Sequence, residues 1–339
     1  VLQQTITDGD GDTASSELDL SAVFSIEDDG PTASTVDDSQ LAALMVDESP
    51  TTGTGNDGIV SATADYSGNF TGTPDYGTDG AGSIDYALAL NGSAMGTGLF
   101  ALDNTKTDGK GAAIELSVSG NDIIGAAGGT TYFTISNDNA GKVTFTQDAN
   151  IWHSDKTNHD DASLLTATAD TLVLKQTITD ADGDTDSSEL DLSAGVFKIE
   201  DDGPTAIAPE DIKAAQEIVI DESPAGYDNG GDSDPAGLYT ASADYADNFG
   251  AVVGDYGTDG AGKIGYALTL SADGIVSGLN ALNAVDTDPT AGAAILLYNN
   301  GTDTVEGKVG NDVYFTIVTD QDGKVTFTQK QNVWHNVPG

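Results

Sequence analysis

Apolar and polar residues alternate at every second position through most of this chain. "TYFTIS" from Thr131 and "KVTFTQ" from Lys142 interleave Tyr, Phe, Ile and Val with Thr and Ser. That is the period of a strand with one buried face. "SIDYALAL" from Ser83 does the same, with Ile84, Tyr86, Leu88 and Leu90 on one side. Clusters of Gly, Asp and Asn recur roughly every ten to fifteen residues between such runs, where chain reversals need residues that tolerate turn conformations. Two stretches depart from the pattern: "DSQLAALMV" (38–46) and "PEDIKAAQE" (209–217) each predict a short helical turn. The expected fold class is therefore all-β: tandem β-sandwich modules of Ig-like or cadherin-like type, with Ca²⁺-binding turns and linkers.

The pattern occurs twice. "QTITDGDGDTASSELDLSAVFSIEDDGPTA" from Gln4 returns as "QTITDADGDTDSSELDLSAGVFKIEDDGPTA" from Gln176. "VDESP" at Val46 answers "IDESP" at Ile220, and "DYGTDGAG" occurs at Asp75 and Asp255. "YFTI", "KVTFTQ" and a Trp-His pair (Trp152, His153; Trp334, His335) also recur in order. Read from its first residue the chain is two whole copies, 1–171 and 172–339. The alternative phase places structural boundaries near Gly30 and Gly203, after the "EDDGP" segments, so that residues 1–29 close a preceding repeat. In each Trp-His pair, one residue is expected in the core and one at an edge.

Composition narrows the chemistry. The chain has 56 acidic and 11 basic residues, a formal net charge of −45, and every basic residue is Lys. Without Arg and this negative, it has no footprint for nucleic acid or an anionic membrane. Asp outnumbers Glu by 46 to 10; the shorter carboxylate suits tight turns and loops around hard cations. A salt-adapted acidic coat is the competing reading. No Cys is present, which removes disulfides, thiolate catalysis and Cys-based zinc sites. No apolar run is long enough to cross a membrane. The ends read as those of a fragment excised from a longer chain.

The carboxylates cluster in two places per copy. "TITDADGDTDSSELDLS" reads as two strands joined by a hairpin turn, with Asp180, Asp182 and Asp184 at alternate positions and Asp191 beyond. Asp8, Asp10, Asp12 and Asp19 are the matching set. Side chains at such spacing in a tight loop converge on one point, which suits a Ca²⁺ ion with six to eight oxygen ligands. A plain Asp-Gly turn is the alternative. Position six is Thr13 or Thr185 instead of Gly and no helices flank the loop, so this is not an EF-hand. The second cluster is Glu27, Asp28 and Asp29, repeated as Glu200, Asp201 and Asp202, before a stiff Gly-Pro. Three adjacent carboxylates repel unless a cation lies between them, and Asp47, Glu48, Asp221 and Glu222 from the "DES" segments are placed to complete the shell. A solvated acidic linker is the alternative here. "DYGTDGAG" (Asp75, Asp79; Asp255, Asp259) is read equally well as a third site or a Gly-rich turn. "TNHDD" (157–161) and "DNGGDSD" (228–234) read as loops.

Catalysis finds little support. Paired carboxylates acting as acid and base need two different environments in one cleft, whereas these repeat along the chain in turns. No nucleophile elbow, HExxH or P-loop is present. No enzyme activity is expected.

"DES", "YGTDGAG", "YALTL", "VTFTQ" followed by a His, "TITDADGD" and "EDDGPTA" occur in order about every 170 residues. This series resembles the long repeats of giant RTX-type bacterial adhesins exported by type I secretion, the T1SS-143 or DUF5801-like class. The resemblance covers both copies nearly end to end. It implies an extracellular, cell-surface location and extender repeats stiffened by several Ca²⁺ ions, which hold a distal ligand-binding domain away from the cell. The implied partners are neighbouring repeats of the same long chain, with a monomer expected. The tandem RTX nonapeptide and a C-terminal secretion signal do not occur here. Two other classes compete: a calcium-dependent module that itself binds glycan or a surface, and a calcium-independent halophilic surface protein.

Overall fold

The computed structural model describes residues 1–36, 41–51, 58–70, 73–205, 216–222, 239–249, 256–283 and 290–335. The chain divides into two compact units, Val1–Asp202 and Gly203–Gly339. Among the described residues it is all-β, apart from two single 3-10 turns. It is built from several sheets, as in the β-sandwich class.

Unit 1 begins with a two-stranded hairpin, β1 (Leu2–Thr7) and β2 (Thr13–Leu18). Twelve strands follow it: β3 (Leu44–Asp47), β4 (Ser61–Asp65), β5 (Ala81–Leu90), β6 (Gly96–Leu102), β7 (Lys110–Ser119) and β8 (Asp122–Ala127), then β9 (Thr130–Asn137), β10 (Lys142–Gln147), β11 (Ala162–Thr166), β12 (Leu172–Asp180), β13 (Thr185–Asp191) and β14 (Ala194–Glu200). A six-stranded sheet runs β4-β10-β9-β8-β7-β6. Two three-stranded sheets, β13-β12-β5 and β11-β14-β3, complete the unit.

The predicted alternation places the core. Phe133 and Ile135 of β9 and Val143 and Phe145 of β10 are fully buried, while Thr134 and Thr144 between them are not. Phe145 packs on Phe133 at 5.4 Å and on Phe197 of β14 at 5.1 Å between ring centroids. These contacts seat the β11-β14-β3 sheet against the six-stranded one. Each such ring contributes about 1.5–3 kcal/mol through burial. A side chain at Gly125 would run into the Phe133 ring, so the glycine makes room for the aromatic pair.

Of the helical turn predicted at 38–46, residues 38–40 lie outside the described residues and the rest is a correction: Leu44–Asp47 is strand β3, parallel to β14 with Leu44 opposite Phe197 and Val46 opposite Ile199. Leu44 and Val46 are buried and Met45 is exposed, so pairing with β14 overrides the helix propensity of the Leu-Ala run. Of the second predicted helical turn, 209–215 lies outside the described residues, and Gln216 and Glu217 are not helical.

Unit 2 contains β15 (Thr240–Asp244), β16 (Ile275–Asn283), β17 (Thr290–Asn299), β18 (Thr304–Val309), β19 (Asp312–Thr319) and β20 (Lys324–Gln329), in the order β15-β20-β19-β18-β17-β16. This repeats the order of the unit 1 sheet, down to Gly307 beneath the Phe315 ring. Tyr66 donates its hydroxyl to the Ala42 carbonyl at 2.6 Å, and Tyr245 donates to that of Gln216 at 2.5 Å. Burial pushes the Tyr66 phenol up to about 12. The units differ at "KIGYALTL" (263–270), which matches β5 in sequence yet forms no strand. In unit 1, β5 is held by nine residue pairs with β12; unit 2 has no such partner among its described residues. Unit 2 also has an open apolar cavity of about 380 Å³, lined by Phe315, Val325 and Phe327 among others, the counterparts of Phe133, Val143 and Phe145 in unit 1.

Candidate metal centre

The β12–β13 turn is built locally. The Asp180 amide donates to the Asp184 carbonyl at 3.1 Å. Asp180 Oδ1 accepts the amides of Gly183 at 3.0 Å and Asp184 at 2.8 Å. Gly183 sits at φ 107°, a conformation that costs residues with a Cβ. The expected hairpin is present, and its three alternate acids lie on one reversal.

Two further segments close on this turn. The "DYGTDGAG" loop approaches through the Ala181 amide, which donates to the Gly80 carbonyl at 3.1 Å. It continues into β5, where a Cβ on Gly82 would collide with the carbonyls of Thr179 and Asp180. The segment before Gly-Pro arrives from the other side. Thr78 donates its amide to Asp29 Oδ2 at 3.1 Å, Thr32 to the Asp75 carbonyl at 2.9 Å, and Ala33 to Asp186 Oδ2 at 2.8 Å. A Cβ on Gly77, which lies at φ 69°, would fall 2.5 Å from the Asp29 carbonyl oxygen.

The outcome is a ring of five carboxylates. Asp28, Asp182 and Asp184 each bring an oxygen within 4.8 Å of the others, as do Asp79, Asp180 and Asp182. Asp182 belongs to both sets. The clusters read separately in the sequence, hairpin turn and acid triplet, thus meet in one place, with Asp79 added from a loop that left turn and ligand undecided.

Electrostatics register the crowding. Asp182 is raised above the ordinary Asp range, first by hydrogen bonding with Asp180, then by lost hydration and the charges of Asp180 and Asp28. Asp79 and Asp184 are raised as well, each chiefly through hydrogen bonding to Asp28. Asp28 is lowered, by Asp184 and then by the Asp29 amide. Carboxylates arranged this way share protons unless a cation replaces them. Asp180 is only 3% exposed, and its Oδ2 is buried without a hydrogen-bond partner. An unsatisfied buried acceptor is costly, and here it faces other carboxylates, so a hard cation fits the donor set.

The remaining predicted ligands lie elsewhere. Asp8, Asp10 and Asp12 form a similar group, fully exposed on the β1–β2 turn. Asp19 and Asp191 accept the amides of Ser21 and Ser193, each at 2.8 Å, and belong to no close group of ligand atoms among the described residues. Glu27 is exposed. Asp47 Oδ1 accepts the Ser49 amide at 2.7 Å. The Asp202 amide donates to Asp201 Oδ1 at 3.0 Å, and Glu200 ends β14 opposite Asp47. Asp221 is half-buried.

Glu48 meets the second acid triplet instead of the first: Glu48, Asp201 and His153 bring ligand atoms within 4.8 Å of one another. Glu48 Oε1 accepts the Gln147 side-chain amide at 2.9 Å and the Ile151 amide at 2.8 Å. In the Trp-His pair it is His153 that is buried, while Trp152 is half-buried under Lys110, whose Nζ lies 4.5 Å from the indole. Burial opposes charging of His153, but Glu48, Asp201 and Asp161 outweigh it and raise its pKa. The signal for this site was present in the sequence, as the ordered series "DES", "TQ" and "WH" in both copies.

Fold and site together define a class: an all-β, internally duplicated protein with carboxylate clusters at its strand turns and module ends. The chain belongs to the family described as Domain of unknown function (DUF5801), whose model matches residues 43–193 and 217–339. That is the family its motif order indicated. No curated protein matches the chain.

Proposed function

We propose that the chain is a pair of calcium-stiffened extender modules, Ig-like or cadherin-like in kind, from an extracellular bacterial adhesin. The observation that carries this reading is the meeting of two carboxylate groups at Asp182, Asp28 with Asp184 on one side and Asp79 with Asp180 on the other, where Asp180 Oδ2 is buried without a hydrogen-bond partner. A Ca²⁺ ion there takes oxygen ligands from three chain segments and cancels the repulsion that otherwise separates them. Because Asp28 precedes Gly30-Pro31, occupancy ties the entering segment to the module, and a flexible lead becomes a fixed one. In this reading a module runs from one "EDDGP" segment to the next, and tandem copies lengthen the spacer. The neighbouring repeats are the partners, and no catalysis is involved.

The test is a comparison of melting temperature and scattering-derived length in EDTA and in millimolar CaCl₂, with matched NaCl as control. Calcium raises the first and lengthens the second, which NaCl does not reproduce. Identical values in EDTA and CaCl₂ would overturn the proposal, and full rescue by NaCl would point to a halophilic coat.

A further inference from the structure

The second cluster in unit 1 differs in chemistry from the first. β3 and β14 run parallel and end side by side, with Glu48 following one and Asp201 the other. The Glu48 amide donates to the Glu200 carbonyl at 3.0 Å, which fixes their register. β11 begins at the same end, where the Asp201 amide donates to the Asp161 carbonyl at 3.1 Å. His153 is drawn underneath because the Ile151 amide is held by Glu48 Oε1. Its side chain is 3% exposed, and Nε2 lies 3.7 Å from Glu48 Oε1. That nitrogen is buried and makes no hydrogen bond. The other ring nitrogen, Nδ1, lies 3.2 Å from Ser163 Oγ and 3.6 Å from Asp161 Oδ1.

A buried imidazole nitrogen aimed at carboxylates, with its opposite nitrogen against a hydroxyl and a second acid, is the pattern that orients a histidine toward a metal. Ca²⁺ prefers an all-oxygen shell, whereas one imidazole with two carboxylates suits Zn²⁺ and similar borderline ions. We infer that Glu48, His153 and Asp201 form a binding site for a divalent transition metal of the zinc class, distinct from the carboxylate ring at Asp182. Asp161 and Ser163 position the imidazole without touching the ion. Unit 2 carries an internal control: Glu222 Oε1 accepts the Val333 amide at 2.8 Å and the Gln329 side-chain amide, and His335 Nε2 lies 3.5 Å from Glu222 Oε2. His335 is 66% exposed there, and among the described residues no third acid joins the pair. The full set thus forms only where an "EDD" segment returns to its own module.

The experiment uses the full chain, stripped of metal and held in millimolar CaCl₂, titrated with ZnCl₂ by calorimetry and with CoCl₂ by visible absorption. One Zn²⁺ binds per chain, and Co²⁺ develops a visible band. His153→Gln weakens Zn²⁺ binding at least about tenfold, as does Glu48→Gln, while His335→Gln and Asp182→Asn leave it unchanged. Binding unaffected by His153→Gln would overturn the inference, as would no saturable binding. Loss of Zn²⁺ binding in Asp182→Asn with retention in His153→Gln would place the ion in the carboxylate ring instead. Should His153→Gln fail to fold, nitrogen NMR of the wild type decides. A zinc-induced shift of Nε2 in one buried histidine supports the site, and unmoved histidine signals refute it.

Discussion

The two hairpins, β1–β2 and β12–β13, have nearly the same sequence and different fates. Their turns are alike: the Asp8 amide reaches the Asp12 carbonyl at 2.9 Å and the Asp180 amide reaches that of Asp184 at 3.1 Å. The first Asp of each turn accepts the amide four residues on at 2.8 Å, and Gly11 and Gly183 lie at φ 102° and 107°. Beyond the turn they diverge. Phe24 is 81% exposed and Ile26 99%, while their counterparts Phe197 and Ile199 are fully buried. β12 pairs on its other side with β5, where Gln176 donates its amide to the Tyr86 hydroxyl at 2.7 Å. The turn is local chemistry, satisfied by its own amides. Core and carboxylate ring depend on what packs against it.

The largest separation between the two hairpins is expected in packing. Phe197→Ala lowers stability in a denaturant melt by about 3–5 kcal/mol, because it empties a site between Phe145 and the β3 strand. Phe24→Ala changes it by less than about 0.5 kcal/mol. Equal effects would mean that β1–β2 is also covered in solution. The backbone comes next. Gly82→Ala drives a methyl group into the Asp180 carbonyl and costs about 1–3 kcal/mol, while Gly9→Ala, with open space around it, costs little.

The calcium response separates the turns without a large change in the metal-free protein. Asp182→Asn removes most of the calcium-dependent rise in melting temperature, and Asp10→Asn leaves it nearly intact, since among the described residues no second segment brings an acid to Asp10. A comparable loss in Asp10→Asn would show that the turn alone holds the ion. The smallest effect belongs to the acids beyond the turn. Asp191, lowered in pKa despite its burial because Ser193 donates to it, is a strand-end acceptor. Asp191→Asn therefore keeps the full calcium shift in the same assay, with only a minor loss of stability.

Alternation read from the sequence located β5, β9 and β10 and the face each buries, because period two follows from the pleat and needs no partner. It failed at Leu44–Asp47 and at 263–270 for one reason: a short run joins a sheet only if another strand offers its edge. The single-letter pattern of "LAALMV" favours a helix until β14 lies beside it. Likewise "KIGYALTL" has the pattern of β5 but lacks β12. Among the clustered carboxylates, Asp180, Asp182, Asp184 and Asp28 were legible as dense acids at a turn and before Gly-Pro. Asp79 was left undecided between turn and ligand, and His153 was visible only as a recurring Trp-His pair, since each is far in sequence from the acids it meets.

By itself the sequence determined the duplication, the strand periods, the Asp-Gly reversals and the excess of carboxylates over any counter-charge. These depend on backbone preferences and composition, which act over a few residues. The tertiary structure decided which turn gathered acids from other segments. It brought Asp28 and Asp79 to the β12–β13 reversal, paired Glu48 with Asp201 instead of Asp28, and buried Asp180 while leaving Asp8 in water. The local turn gathers Asp8, Asp10 and Asp12 in water, whereas five carboxylates from three segments meet only where distant parts of the chain are stitched together.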